Sequence, residues 1–332
     1  MIGVDVSSRW LTCCFRLTRD NNPEKELEVP NSVEGVHKLL SCMPSGAPWV
    51  VEPTGRYSLL VVKQVQEAGR RVLLAPPRKA KIYLNSLQTR AKTDKLDSRG
   101  LTLFGLTHTL SPYPIKSEPV SQIDQLLSAR KLLSRSKMAM RLQRDALEYD
   151  QAKAALQSAV EAIDAQIEEL DNEIQLRSRE HPDFAVSQKL LKVPGIGPVT
   201  AAAVASRLSS KQFSRPDQFV AYIGLDVAVR QSGKKNGREG LTKQGDAELR
   251  RLLFICAKAS LTAKDNPFKQ QYKREREKGL TSTAALCAVA RKLARLCWSM
   301  HRHNTDYDPQ RVTTRPDKSQ TTETEPSPEN KE

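Results

Sequence analysis

Four acidic residues are spaced as metal-dependent phosphodiester chemistry would need them: Asp5 in MIGVDVS, Glu52 in WVVEPTG, and Asp94 and Asp97 in KTDKLDSRG. The first two end short apolar runs that read as buried strands. The last two have the three-residue spacing that puts both carboxylates on one face of a helix. A carboxylate is costly to bury unpaired, so four converging near strand ends call for a partner, and a divalent cation such as Mg2+ is the usual one. A pair of such cations about 3.5–4 Å apart activates an attacking oxygen and stabilises a leaving one. Each acid alone has a plainer reading; Asp94, for instance, could cap the helix that follows Thr93. Asp5 resists it, because an acid within IGVDVS interrupts an otherwise apolar strand.

Two further segments carry chemistry. In PGIGPVTAAAV, Gly195 and Gly197 permit a tight turn between helices whose backbone N–H groups can face a phosphate, with Thr200 opening the next helix. This resembles a helix-hairpin-helix element, which grips DNA without reading its sequence; the plainer alternative is a simple inter-helix connection with a proline start. Downstream, AYIGLDVAVRQSGKKNGREGLTKQGDAELRRLLF holds Ser232 in a glycine-studded basic loop before a helix opens near Asp246. From Arg230 to Arg251 seven basic residues face three acidic ones, among them Arg230, Lys234, Lys235, Arg238, Lys243 and Arg250, so the loop suits a nucleophile that must meet a phosphate. A Ser-Gly pair alone is far more often a turn, and the reading rests on its company. The five histidines receive no role.

The elements that must position these residues follow from periodicity. Ile2–Val6, Thr12–Leu17, Leu27–Val29, Trp49–Glu52 and Arg71–Ala75 read as strands, with helices over Val33–Met43 and Ser58–Ala68. Three strands, a helix, a strand, a helix and a strand is the element order of a ribonuclease-H-like α/β domain, over residues 1–112. Three prolines between Ser111 and Pro119 mark a linker. From Ile123 to about Arg179 there is no proline or glycine, and Leu156, Val160, Ile163, Ile167, Leu170 and Ile174 form a heptad seam. Residues 113–183 are therefore expected to be helical. One long helix that dimerises as a coiled coil is the first reading, and a hairpin within the chain is the second. Residues 184–303 form a mostly helical third region ending in an amphipathic helix over Ala284–Met300, and 304–332 read as a disordered tail rich in Thr, Pro, Ser and Glu. The fold class expected is thus α/β plus all-α.

The tail itself carries four basic against seven acidic residues, so within the net charge of +15 the rest of the chain holds +18. Such an excess suits a polyanionic partner, because each cation that neutralises a phosphate releases a counterion. Six cysteines with no C-x-x-C pair suggest small core residues in a reducing cytoplasm rather than disulfides or a zinc site. No apolar run approaches the ~20 residues that span a bilayer, and no signal peptide is evident, so a soluble cytoplasmic protein without a membrane partner is expected.

The motifs in order, D…E…D-x-x-D, then PGIG, then G-L…S-G…K-x-G…L-R-R-L, resemble the transposases of the insertion-sequence 110 family, including 1111-type relatives and Piv-like DNA invertases. The resemblance runs from Met1 to His303. It implies a RuvC-like N-terminal domain whose Asp5, Glu52, Asp94 and Asp97 bind magnesium. It also implies a C-terminal transposase domain whose serine, here Ser232, attacks DNA to form a covalent phosphoserine link. Thr242 stands before Lys243 where relatives often carry serine, which favours Ser232 as nucleophile; Asp226 is a further departure. Donor and target double-stranded DNA, a structured guide (bridge) RNA and a homo-oligomer, dimer or tetramer, are the implied partners. A RuvC-like endonuclease using water, and a non-enzymatic DNA-binding protein, are the competing readings. The second leaves Asp5 unexplained.

Overall fold

Alternation of buried and covered residues builds a mixed sheet at the start of the chain. The computed structural model describes residues 1–313 except 21, 88–92, 115, 229, 233, 234, 238, 239 and 265, with the backbone alone for 230–232, 235–237 and 313. The chain divides into two units, Met1–Ile115 and Lys116–Glu332.

In the first unit the strands are β1 (Ile2–Val6), β2 (Trp10–Phe15), β3 (Lys25–Pro30), β4 (Trp49–Val51) and β5 (Val72–Leu74), in the order β3-β2-β1-β4-β5. β2 runs antiparallel to β1 and β3, whereas β4 runs parallel to β1 and β5. The helices are α1 (Val33–Cys42), α2 (Tyr57–Glu67), α3 (Pro77–Ser86) and α4 (Asp94–Thr107). Ile2, Val4 and Val6 point to one side of β1 and share a core with Val36 and Leu39 of α1 and Val61 and Val65 of α2. On the opposite side, Val50 and Leu73 pack against Ala80 of α3 and Leu101 and Phe104 of α4. The sheet therefore lies between two helical layers. Each expected strand is present, the first with its bounds unchanged and the others with ends moved by at most two residues. The helix α3, opened by Pro77 at its first turn, was not read from periodicity.

The second unit contains α5 (Glu118–Asp145), α6 (Asp150–Glu180), a short 3-10 turn (Pro182–Phe184), α7 (Ala185–Leu190), α8 (Pro198–Ser210), α9 (Pro216–Ile223), β6 (Arg230–Ser232), β7 (Lys235–Gly237), α10 (Ala247–Ser260), α11 (Pro267–Glu277), α12 (Ser282–His303) and α13 (Pro309–Thr313). Its core is built around α12, whose Val289, Ala290, Leu293 and Ala294 are fully buried, and α8, whose Ala201, Ala202, Ala203 and Ala205 let neighbours approach closely. Arg207 of α8 joins three helices: it binds Asp124 of α5 at 2.5 Å and Asp246, the N-cap of α10, at 3.0 Å. A guanidinium this enclosed needs both carboxylates to offset its lost hydration.

The long helical segment corrects the expectation of one continuous helix. It breaks at 146–149 and folds back, so that α5 and α6 pack antiparallel. Arg130 pairs with Asp171, Lys137 with Asp164 and Arg144 with Gln157, steps of seven residues descending one helix and climbing the other. The heptad seam residues of α6 are all partly or fully buried. The seam that reads as a dimerisation device is thus covered within the chain.

The tail expectation also changes for residues 304–313. Helix α12 stops at Asn304, in the left-handed region with φ 52°, and the chain turns back onto the core. Val312 is buried, Tyr307 stacks with Phe268, and Lys192 pairs with Asp306 at 3.0 Å. Two apolar anchors and an ion pair hold what composition alone read as disorder. Residues 314–332 lie outside the described residues.

Candidate active site

Asp5 lies on the side of β1 covered by α4, the side opposite Val4 and Val6. Gly3 lies two residues away on that same side and explains how the helix comes so near. A Cβ there would stand 2.4 Å from the Ser98 carbonyl oxygen and the Thr102 nitrogen. The Thr102 hydroxyl completes the contact, accepting from the Gly3 N–H at 3.0 Å. At the neighbouring edge, Arg99 of α4 grips Glu26 of β3, with one hydrogen bond at 2.8 Å, and this contact holds the Glu26 carboxyl below its ordinary pKa. With Ser98 and Thr102 seated over Gly3, the turn that precedes them brings Asp94 and Asp97 toward Asp5. Thr93, not Asp94, caps this helix, accepting from the Leu96 N–H at 3.3 Å.

Glu52 arrives by sheet register. Val51 of β4 pairs in parallel with Val4, so the next residues, Asp5 and Glu52, stand side by side at the strand ends. The turn after Glu52 is fixed by Ser58, which accepts from the Thr54 N–H at 3.3 Å and donates to the Gly55 carbonyl at 3.2 Å.

The electrostatics record the convergence. Asp5 is pushed up to about 6, first by burial and then by the negative charges of Asp94, Asp97 and Glu52. Among the described residues, no three acid, histidine or cysteine side chains close to the separation at which they would share one ion. The four carboxylates are gathered but not drawn into a cage. A set of hard oxygen donors with mutual repulsion is the donor chemistry of a divalent cation such as magnesium.

Ser232 is at the far end of a small hairpin in the second unit. β6 and β7 pair antiparallel with Ser232 opposite Lys235. Lys234 and Arg238 lie outside the described residues; of Arg230, Ser232 and Lys235 the strand placement is described. At the base of the hairpin, Val227 bridges Leu241, and the Thr242 hydroxyl hydrogen-bonds the Asp226 carboxylate. Thr242 also donates its N–H to the Asp226 carbonyl at 2.9 Å. The two positions that stood out as departures in the sequence clasp each other and close the hairpin. Arg250 reaches back to the Ile223 carbonyl at 2.8 Å, securing the turn at Gly224. Lys243 is exposed, at a positive φ of 52°.

The PGIG turn joins α7 to α8. Gly195 adopts φ 87° and a Cβ on it would stand 2.4 Å from the Cys256 carbonyl, so this glycine seats the turn on α10. Thr200 is buried, with its hydroxyl 3.4 Å from the Cys256 sulfur. Gly197 is exposed at the start of α8. Gly195 and Thr200 thus face the core, while Gly197 faces outward. All six cysteines are free, four of them buried.

A transposase model described as the IS116/IS110/IS902 family matches residues 187–273, and a transposase model of the DEDD type matches residues 2–147. The chain belongs to the IS116/IS110/IS902 transposase family. This transposase is 24% identical over 317 residues to a pilin gene-inverting protein of Moraxella lacunata, spanning 92% of this chain and 97% of that one. It is 35% identical over 139 residues to the transposase for insertion sequence element IS1328 of Yersinia enterocolitica, 40% of each chain. With an insertion element IS110 protein of 43.6 kDa from Streptomyces coelicolor it shares 29% over 155 residues, 46% of this chain and 37% of the other. As a transposase it is a DNA recombinase, and DEDD transposase domains typically depend on a metal. The DEDD match spans all four acids, and the other match spans the PGIG turn and the Ser232 hairpin. Among the described residues, no helix is long and apolar enough to cross a membrane.

Proposed function

We propose that this transposase cuts and rejoins DNA strands through a covalent phosphoserine link at Ser232, with Asp5, Glu52, Asp94 and Asp97 as its magnesium-binding set. The observation that carries the proposal is the convergence of the four carboxylates, which raises the Asp5 pKa and asks for a cation. The sheet order with β2 antiparallel supports a ribonuclease-H-like, RuvC-type reading of the first unit. Bound to this set, magnesium would stabilise charge developing at a scissile phosphate and favour an ionised serine. The serine oxygen forms a bond to phosphorus while the bond from phosphorus to one deoxyribose oxygen breaks. The serine proton departs, and the released oxygen takes one up. One phosphate ester replaces another, so resealing needs no nucleotide cofactor. Arg230, Lys234, Lys235, Arg238 and Lys243 surround the serine in sequence and would hold the phosphate. Gly197, at the outward end of the PGIG turn, is placed for a backbone contact in the helix-hairpin-helix manner. Donor and target duplexes, a structured guide RNA from the same element and assembly as a dimer or tetramer complete the reading. Site-specific inversion is the second reading, favoured by the likeness along nearly the whole chain to a gene-inverting protein.

Denaturing electrophoresis of the full chain with labelled element-end DNA, the transcript flanking the gene and magnesium tests the nucleophile. Wild type should yield a protein–DNA adduct that Ser232→Ala lacks along with all cleavage. Cleavage retained by Ser232→Ala, with no adduct in wild type, would instead establish a water-using endonuclease.

A further inference from the structure

A cavity of about 1260 Å3 opens in the second unit between α11 and α12, closed at one side by the base of the Ser232 hairpin. Val227, Gly240 and Leu241 of that base line it, and α13 borders it through Arg311 and Val312. Its volume exceeds the roughly 300–1,000 Å3 of an ordinary small-ligand pocket. Much of it lies beyond residues 187–273, because α12 begins at Ser282.

Two chemistries meet in this cleft. Leu241, Leu280 and Leu296 give it an apolar, half-buried lining. Lys243, Arg274, Arg291 and Lys292 surround that lining with cations. Of the acids on the lining, Glu275 pairs with Lys278 at 3.0 Å, Asp306 with Lys192 and Asp308 with Arg311, and Glu277 also borders the cleft. Arg295 is matched by Asp217. Among the described residues, no carboxylate stands within ion-pair distance of Lys243, Arg274, Arg291 or Lys292. Burial, then the nearby Arg274, lowers the Lys292 pKa, and burial, then Arg295, does the same to Arg291. Like charges are therefore gathered at one cleft, with Arg291 and Lys292 partly desolvated, a cost that an incoming anion relieves. Phosphate groups alone would leave the apolar lining and Trp298 unused, whereas unpaired bases also present apolar faces to them.

We propose that this cleft binds an unpaired nucleic-acid strand, with phosphates on Lys243, Arg274, Arg291 and Lys292 and bases against the leucines. The inference adds a strand-holding site to the recombinase reading without depending on Ser232 as nucleophile. A strand lying here runs directly to the base of the serine hairpin.

Fluorescence anisotropy of the full chain tests it, using single-stranded DNA, single-stranded RNA and duplex DNA of about 12 nucleotides and one sequence. The variant Arg274→Glu/Lys292→Glu should weaken binding of single strands at least about tenfold and flatten their salt dependence by roughly 0.7 per lost phosphate contact. The reference variant Lys79→Glu/Lys81→Glu carries the same charge change on exposed residues of the first unit. A loss on DNA alone or RNA alone names the strand the cleft accepts. A loss no larger than in the reference variant, or one confined to duplex, overturns the proposal. Cys287 lines the cavity and supplies a readout in the unaltered cleft. In a Cys42→Ser background, an oligonucleotide should protect it from alkylation; an unchanged alkylation rate at saturating strand would refute the site.

Discussion

Asp5 concentrates the energetic tension of the molecule in one side chain. Its folded pKa of about 6 stands above the ordinary carboxylate value near 3.9, because burial and three neighbouring carboxylates oppose its ionisation. The sign follows directly: the cation-free protein is at its most stable below about pH 4 with respect to this group, and loses stability as pH rises through about 6. Discounted for its partial exposure, the effect is on the order of 1–2 kcal/mol. Thermal unfolding in chelator should therefore show Asp5→Asn melting higher than wild type at pH 7, with the difference vanishing near pH 4, while recombination by the variant should be lost. Equal melting at both pH values would mean that the four charges do not meet. Much of this was legible, since an acid within an apolar strand and the D-x-x-D spacing both stand out. The means of bringing them together was not. Gly3 and Thr102 seat α4 on β1 through a close approach that no periodicity announces. Asp226 and Thr242 looked like isolated departures because their partnership spans sixteen residues.

At the scale of elements, the helical hairpin shows where pattern reading stops. The apolar stripe on α6 was plain at heptad spacing, but its partner was not, because the chain reversal at 146–149 has no proline or glycine and α6 begins without a side-chain cap. Packing, not local signals, breaks the helix. The magnitudes separate the two kinds of contact along the hairpin. Exposed ion pairs contribute about 0.2–1 kcal/mol, whereas truncating a buried isoleucine costs about 2–5. Ile174→Ala, at a fully buried site, should thus lower the denaturation midpoint well beyond Arg141→Ala, whose partner Asp164 is also held by Lys137. Similar shifts for both would show that the charged ladder, not the seam, holds the hairpin. The β6–β7 hairpin illustrates the same limit, since a glycine-rich basic stretch reads as a loop until its base is seen to be clasped.

For the molecule as a whole, the carboxylates and the serine reside in separate compact units, each with its own core. On the proposed reading, chemistry divided in that way would let cutting await assembly. If the serine of one chain completes the carboxylate site of another, an Asp5→Ala chain mixed with a Ser232→Ala chain should recover part of the activity that neither has alone, measured by strand joining across mixing ratios. No recovery at any ratio would place both halves of the site within one chain. The proposed chemistry depends, however, on whether the four acids hold an ion. Crystals of the full chain grown with manganese in place of magnesium, measured at the manganese absorption edge, answer that most directly. The expected result is an anomalous peak bounded by Asp5 and at least one of Glu52, Asp94 and Asp97, lost in Asp5→Asn; saturating manganese with no peak beside Asp5 would contradict it.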